Sequence, residues 1–385
     1  MRIGIFSECY HPTLNGVVVS VDTFKCDLEK MGHEIFIFAP RTRNFQDEDP
    51  THIFRYPSLT WFGPNDYPIG IPFFAPSIKK KAGGLGLDII HAQHSLGMIS
   101  AQALKIGHLL RIPVVHTYHT LLTDYIHWKI GAGLGRWYVK TMSTRYCNSC
   151  DQIVTPSPSM KKIVQSYGVA TPIEPIPTGI EIEAFGQPFS RDELYEKWGV
   201  PKDKKLLLYL SRVATEKNID FLFEAIGNLA KKRNDFHLLM AGGGKELPDF
   251  KKKAVRLGIE KVTTFTDKQA KKDAEKIFGA ADIFVFPSIT ETQGIVIAEA
   301  MAAGVPAVAV GILGPTDIIK EGEDGFLTPL KVDEFSSRIE QLLDDESLRK
   351  KMGAQAKINA RAYSTISCAQ KMEKLYVETR NRHRS

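Results

Sequence analysis

The sequence predicts an α/β protein made of two doubly wound, Rossmann-like parallel sheets facing a central cleft. Three observations carry this expectation. At 385 residues the chain exceeds one ordinary core, so two domains of about 150–200 residues are expected. Short β-branched apolar runs bounded by turn residues alternate with helical patterns, as parallel sheets covered on both faces require. The alternation comes in two sets, separated by "PIEPIPTGIEIEAF" at residues 172–185, which reads as a hinge. The expected domains are residues 1–178 and 179–365, with a C-terminal helix over about 366–385 packing back on the first.

In chain order, strands are expected at "RIGIFS", "EIFIFAP", "DIIHAQ", "IPVVHTY" and "QIVTPSP", then at "KLLLYLSRV", "FHLLMAGG", "KVTTFTD", "DIFVFPS" and "VPAVAV". Ligands of such sheets bind beyond the C-terminal strand ends, so strand-end residues are the candidates. After the first strand, "SECYHPTLNGVV" lacks the Gly-x-Gly-x-x-Gly dinucleotide turn. Its single Asn15-Gly16 is either a plain turn or a place where helix-start N–H groups approach an anion. Arg212 ends one strand and Lys217 begins the next helical pattern. They are a pair of cations for a diphosphate, or exposed charges paired with Glu216. The glycines of "LLMAGGGKE", Gly243 among them, suit close approach by a base or phosphate, or simply a mobile loop.

The stretch from Gly294 to Gly314 has one charge and approaches a membrane span in length, but breaks at Gly304-Val305-Pro306. It reads as a buried helix over 294–303 followed by a buried strand. Glu299 lies within this helix. An ionisable group in apolar surroundings needs a polar partner, and vicinal hydroxyls such as those of a ribose would serve. Glu291, in the loop before the helix, would face a second polyol together with the N–H groups of Thr292 to Gly294.

Composition restricts the partners. Residues 1–180 hold 17 Lys/Arg against 13 Asp/Glu, and the last twenty hold 5 against 2. This excess is mild for a nucleic-acid binder and no aromatic-basic RNA motif appears, so no nucleic-acid partner is expected; on charge alone an anionic membrane surface is an equally good partner. Two stretches suit it: "GIPFFAPSIKKKAG", with Phe73 and Phe74 beside Lys79, Lys80 and Lys81, and "GLGRWYVKTMSTRY", with Arg136 and Lys140 beside Trp137. The Cys147-Asn-Ser-Cys150 pair has no matching second half for zinc and reads as reduced thiols. Asp47-Glu48-Asp49 has the Asp-x-Asp form of a metal site but sits in a polar run, and reads as a solvated loop. The N-terminus has too few apolar residues for a signal-peptide core, so a cytoplasmic protein is expected, peripheral on the inner face of the cell membrane.

Glu291-x7-Glu299, with Arg212-x4-Lys217 upstream and "AEAMAAGVP" following, resembles the family 4 retaining glycosyltransferases of GT-B fold over nearly the whole chain. "TETQG", "HTYHTLLTDYIH" and "RYCNSCDQIVTPSPSM" resemble the subgroup of bacterial diacylglycerol glucosyltransferases. The resemblance implies a nucleotide-sugar donor, UDP-glucose, a membrane lipid acceptor such as 1,2-diacylglycerol, and no cofactor or obligatory metal. It implies that Arg212 and Lys217 bind the donor diphosphate and that Glu299 binds the ribose. Glu291, Thr292, Gln293, Gly294 and Ile295 would hold the donor sugar, with Gly16 and Gly243 close to the nucleotide. His119, by itself a plausible packing residue, matches the family's histidine at the reaction centre. Family members often carry glycine where this chain has Asp267-Lys268, so no uracil contact is assigned there.

Retention is implied to proceed by front-face substitution, with the leaving diphosphate taking the acceptor's proton. The same fold also serves phosphatidylinositol or soluble sugar acceptors, or GDP-mannose. A hydrolysing nucleotide-sugar 2-epimerase lacks the Glu-x7-Glu arrangement, and a non-catalytic sugar-binding module has no use for Arg212, Lys217 and His119 together.

Overall fold

The structure is a computed structural model and describes residues 1–13, 15–60, 68–71, 76–94, 97–119 and 132–384. The chain forms two compact units, Met1–Gly179 with Thr365–Ser385, and Ile180–Ser364.

The strands of unit 1 are β1 (Arg2–Phe6), β2 (Glu34–Pro40), β3 (Ile53–Tyr56), β4 (Ser58–Thr60), β5 (Pro68–Gly70), β6 (Ile89–Ala92), β7 (Val114–Thr117), β8 (Gln152–Thr155) and β9 (Ile173–Pro175). Its helices are α1 (Gly16–Lys30), α2 (Pro76–Gly84), α3 (Met98–Leu110), α4 (Ala132–Asn148) and α5 (Pro158–Ser166). Seven strands form one sheet in the order β3-β2-β1-β6-β7-β8-β9, every pair parallel. β4 and β5 form a separate antiparallel pair.

Unit 2 contains β10 (Lys205–Leu210), β11 (Phe236–Ala241), β12 (Thr263–Thr266), β13 (Ile283–Phe286), β14 (Ala307–Val310) and β15 (Gly325–Thr328). Its helices are α6 (Arg191–Trp198), α7 (Ile219–Ala230), α8 (Leu247–Arg256), α9 (Lys271–Ala280), α10 (Ile295–Ala302), α11 (Gly314–Ile318), α12 (Val332–Asp344) and α13 (Glu346–Asn359). The sheet order is β12-β11-β10-β13-β14-β15, again all parallel. The strands are apolar throughout because both faces are covered. In β10, Leu207 and Tyr209 join one core while Leu206 and Leu208 join the other, the period-2 alternation of a doubly covered strand.

The segment 172–185 is built into both cores rather than standing between them. It supplies β9 to unit 1 and a 3-10 turn, Ile182–Gly186 with buried Phe185, to unit 2. Helix α14 (Thr365–Arg384) lies on unit 1, where Cys368, Met372, Leu375 and Tyr376 enter the core with Val18, Val21 and Leu28 of α1. Polar contacts fasten it along its length: Glu373 to His33 at 2.9 Å, Arg382 to Gln152 at 2.6 Å and His383 to Asp151 at 2.8 Å.

Among the described residues no helix is long and apolar enough to cross a membrane. The apolar stretch 294–314 is α10 followed by β14, both in the core of unit 2. Cys147 and Cys150 are free and buried, and burial pushes the Cys147 thiol up to about 12. The acidic run is not simply solvated: Asp47 holds Arg55 at 2.5 Å, and Asp49 accepts from His52 at 2.8 Å.

Candidate active site

In each sheet one strand marks where the winding reverses, and the crevice beyond its C-terminal end is the natural ligand site. In unit 2 that point lies between β10 and β13, and the loops leaving these strands carry Arg212, Lys217 and Glu291. Lys217 sits in a 3-10 turn, Thr215–Lys217, just ahead of α7. Its ammonium donates to Glu291 Oε1, which also accepts from Ser288 Oγ at 3.4 Å. Both side chains are mostly shielded, at 15% and 19% exposed, so this is a pre-formed ion pair. Arg212 is 63% exposed and bridges to Glu216 at 2.5 Å, the pairing left open by the sequence. Each cation is thus held by a carboxylate.

The glycine loop after β11 packs on the loop after β10, with Val213 N–H donating to Gly243 O at 3.0 Å. Arg212 and Gly243 line one cavity of about 380 Å³ with Leu210, Ser211, Lys268 and Gln269. Lys268 and Gln269 are site residues that sequence reasoning did not assign. The signal was their position just beyond the end of β12.

α10 begins at Ile295, with Gly294 as its N-cap, rather than at Gly294. Thr292 and Gln293 lie in the preceding loop, pinned where Gly314 N–H donates to Glu291 O at 2.9 Å. Glu299 is half-buried on α10. Among the described residues no donor hydrogen-bonds its carboxylate, so no hydrogen bond offsets its desolvation. Burial pushes its carboxyl up to about 7, with Glu275 adding to the rise and Lys271 opposing it. Between the ordinary carboxylate range and about 7 the folded protein keeps a proton that the unfolded chain has released. This group's contribution to stability therefore falls as pH rises through that window.

In unit 1 the reversal lies between β1 and β6. Beyond β1, Asn15 caps α1 by accepting from Val17 and Val18 N–H at 3.0 Å each. Gly16 opens the helix, and among the described residues no atom lies within 4 Å of where a Cβ would stand, so none of them calls for glycine there. Beyond β6 and β7 lie Gln93, His94 and His119. Burial, together with neighbouring His94, His116 and His91, holds the His119 imidazole well below the usual histidine range. His119 is therefore neutral at physiological pH, and its Nε2 donates to Gln93 Oε1 at 2.7 Å. Glu8, also unassigned from sequence, lies just beyond β1 and accepts from Ile99 N–H at the start of α3 at 2.9 Å.

The expected surface residues fall on two helices. Lys79, Lys80 and Lys81 are exposed on α2, and Lys81 Nζ lies 4.6 Å from the Phe54 ring centroid. On α4, Arg136 and Trp137 are exposed, while Lys140 lies over Tyr167 at 5.1 Å. Phe73 and Phe74 lie outside the described residues.

Two parallel doubly wound units, one of them setting cations, carboxylates and a glycine loop at its switch point, define a glycosyltransferase of the GT-B fold. Anabaena HepE, solved in complex with UDP, shares this fold with a TM-score of 0.79 at 19% identity, covering 98% of this chain and 100% of that one. The description Glycosyltransferase Family 4 matches residues 14–184, and Glycosyl transferases group 1 matches residues 190–359. The chain is 35% identical to the alpha-monoglucosyldiacylglycerol synthase of Streptococcus pneumoniae, over 81% of this chain and 71% of that protein. It is 26% identical to the synthase of the same name from Acholeplasma laidlawii, over 98% and 97%. The chain belongs to glycosyltransferase family 4.

Proposed function

We propose that the protein transfers glucose from UDP-glucose to 1,2-diacylglycerol at a membrane surface, with retention of configuration and without a metal. The observation that carries this reading is the Lys217–Glu291 pair at the β10/β13 crevice, followed on α10 by the unpartnered Glu299 carboxylate. The similarity to two alpha-monoglucosyldiacylglycerol synthases supports the lipid acceptor.

The two ion pairs suggest how the donor enters. The diphosphate takes Lys217 from Glu291 and Arg212 from Glu216, exchanging carboxylates for phosphate oxygens. Glu291, released, accepts hydrogen bonds from the sugar hydroxyls, and Glu299 accepts from the ribose. The acceptor oxygen then bonds to the anomeric carbon on the face that the diphosphate leaves. As the carbon–oxygen bond to the β-phosphate breaks, the departing phosphate oxygen takes the acceptor's proton. Arg212 and Lys217 stabilise the charge that develops on UDP. His119, being neutral, adds no positive charge beside an oxocarbenium-like sugar.

Glu299 gives a pH prediction. Only its ionised form accepts from both ribose hydroxyls, and its proton is held up to about 7. UDP-glucose affinity should rise about ten-fold between about pH 6 and about pH 8. Calorimetric titration should give this slope in the parent protein and a weak, flat profile in Glu299→Gln. The same slope in both would remove the ribose assignment.

The acceptor cannot diffuse through water, so unit 1 docks on the bilayer through the α2 lysines and the Arg136–Trp137 face of α4. Three lysines near an anionic surface contribute about 3 kcal/mol, enough for reversible binding. The test incubates purified protein with labelled UDP-glucose, UDP-galactose or GDP-mannose and phosphatidylglycerol vesicles containing diacylglycerol, with and without EDTA. An α-glucosyl lipid formed in chelator is expected, with vesicle binding weakened by salt and by Lys79, Lys80 and Lys81 changed to Ser. A β-glycoside, activity lost to EDTA and restored by Mg²⁺, or transfer to a soluble sugar would each overturn a named part of the reading.

A further inference from the structure

The loop that leaves β1 and delivers Gly16 to the start of α1 is tied down from two sides and from within. From α1, Asp22 reaches back to it: Oδ1 accepts from the Tyr10 hydroxyl at 2.8 Å, and Oδ2 lies 2.7 Å from His11 Nε2. From β3, the buried Tyr56 hydroxyl donates to Ser7 O at 2.8 Å, and Arg55 donates to His11 O at 2.8 Å. Arg55 is itself held. Asp47 accepts from its Nε at 2.9 Å and from its Nη2 at 2.5 Å, and Pro40 O accepts from its Nη1 at 2.8 Å. Its guanidinium also lies 5.7 Å from the Tyr10 ring centroid. Within the loop, Ser7 Oγ donates to Cys9 O at 2.6 Å, and Thr13 N–H donates to Tyr10 O at 3.2 Å.

Loops are ordinarily the mobile part of a fold, and a plain connection between β1 and α1 needs no such fastening. Arg55 and Asp47 are only 12% and 10% exposed, and a shielded ion pair is weak evidence for stability because both charges lose water. What this pair does provide is aim. The planar fork meets a carboxylate, Pro40 O and His11 O at once, which the single ammonium of a lysine could not do. We infer that Asp22, and Arg55 as aligned by Asp47, are positioning residues for glycosyl transfer: they hold residues 7–13 in the conformation that presents the start of α1 and Gly16 to the donor before it arrives. This rests on the reading of Gly16 as lying close to the nucleotide. The acidic run at 47–49 thereby gains a use, with Asp47 orienting an arginine. A loop that must order as the donor binds is competent only part of the time, and apparent affinity falls by that fraction while the bound complex reacts as before. Loss of the clamp should therefore appear in donor affinity and not in turnover. Charge cannot imitate this result. Removing the Asp22 carboxylate would by charge alone tighten the binding of an anion, and Arg55→Lys keeps the charge.

The test follows the full chain by amide hydrogen exchange over residues 7–18, with and without UDP, and by calorimetric titration with UDP, neither of which depends on turnover. In Asp22→Ala and Arg55→Lys the loop should exchange faster than in the parent and regain protection when UDP is added. UDP affinity should fall about ten-fold in each, and the donor KM should rise by a similar factor with a much smaller change in kcat. Asp22→Asn should recover most of the affinity lost in Asp22→Ala, because an amide can still accept from Tyr10 and donate to a neutral His11. Parent-like exchange in both variants overturns the clamp. Faster exchange with parent UDP affinity overturns the positioning role, as does a lower unfolding temperature with exchange and affinity unchanged. A parent protein that does not bind UDP would sink the nucleotide-sugar reading instead, while exchange alone still decides whether Asp22 and Arg55 hold the loop.

Discussion

Lys217→Ala should lower turnover by about 10²-fold or more, the scale of one lost charge contact in a transition state. The structure gives reason to expect the loss to exceed that minimum. Lys217 neutralises Glu291 in a shielded position, so alanine leaves a carboxylate facing the site that a diphosphate must enter. Lost attraction is compounded by new repulsion. Arg212→Ala should also cost about 10²-fold in turnover but lacks the second effect, since its partner Glu216 is itself exposed. Arg212→Ala should leave stability nearly unchanged, because an exposed pair contributes about 1 kcal/mol or less, whereas Lys217→Ala leaves a shielded carboxylate unpaired and should also lower the unfolding temperature. A double variant separates the terms. Removing Glu291 as well should restore donor binding relative to Lys217→Ala but not turnover. Full activity in either single variant would remove the diphosphate assignment.

The second large effect concerns glycines that look alike in sequence and differ in three dimensions. Gly242 has φ +151°, and a Cβ there would meet Ser211 O at 1.9 Å. At Gly244 the obstacle is Val213 O, also at 1.9 Å. Backbone carbonyls cannot step aside as a flexible side chain can, so alanine at either position must lift the loop off β10. Overpacking of this kind costs about 1–3 kcal/mol, and the lifted loop deforms the cavity that holds Arg212 and Lys268. Thermal unfolding of Gly244→Ala should shift down, and donor binding should fall with it. Gly16 is the opposite case. A side chain there meets nothing in the protein, so Gly16→Val should unfold at the parent's temperature yet lose about 10²-fold in turnover by displacing the donor. Wild-type turnover in Gly16→Val would make that glycine a plain turn.

This contrast shows where the sequence stops being legible. A glycine codon records that space is needed but not whether backbone or ligand fills it. The interior strands were readable because burial on both faces makes them uniformly apolar. Of the five strands that went unread, β4 and β5 form a separate short antiparallel pair, and β3, β9 and β15 are sheet edges. Edges carry polar or restrictive residues, such as Arg55 in β3 and Glu174 and Pro175 in β9, because an unpaired apolar edge invites aggregation. The expectation of a buried helix and strand over 294–310 rested on the break at Gly304 and Pro306, a local signal. Lys217 and Glu291 are 74 residues apart, and no periodicity connects them. Their joint appearance in the site came from resemblance, while their pairing came only from the fold.

Helix α14 has one more consequence, for the order in which the molecule is made. Unit 1 opens the chain, yet four of its core side chains, Cys368, Met372, Leu375 and Tyr376, are translated after all of unit 2. At about 1.5–3 kcal/mol for each buried side chain of this size, the four together are comparable with the whole stability of a domain. On the ribosome, domains ordinarily fold in the order they emerge. Here the first unit waits with an uncovered apolar face while the second, encoded without interruption, completes itself. Helix α14, made after unit 2, then covers the core that the first residues began. The unit that begins the chain is thus finished only after the second unit has been made, and only then does Tyr376 reach His91.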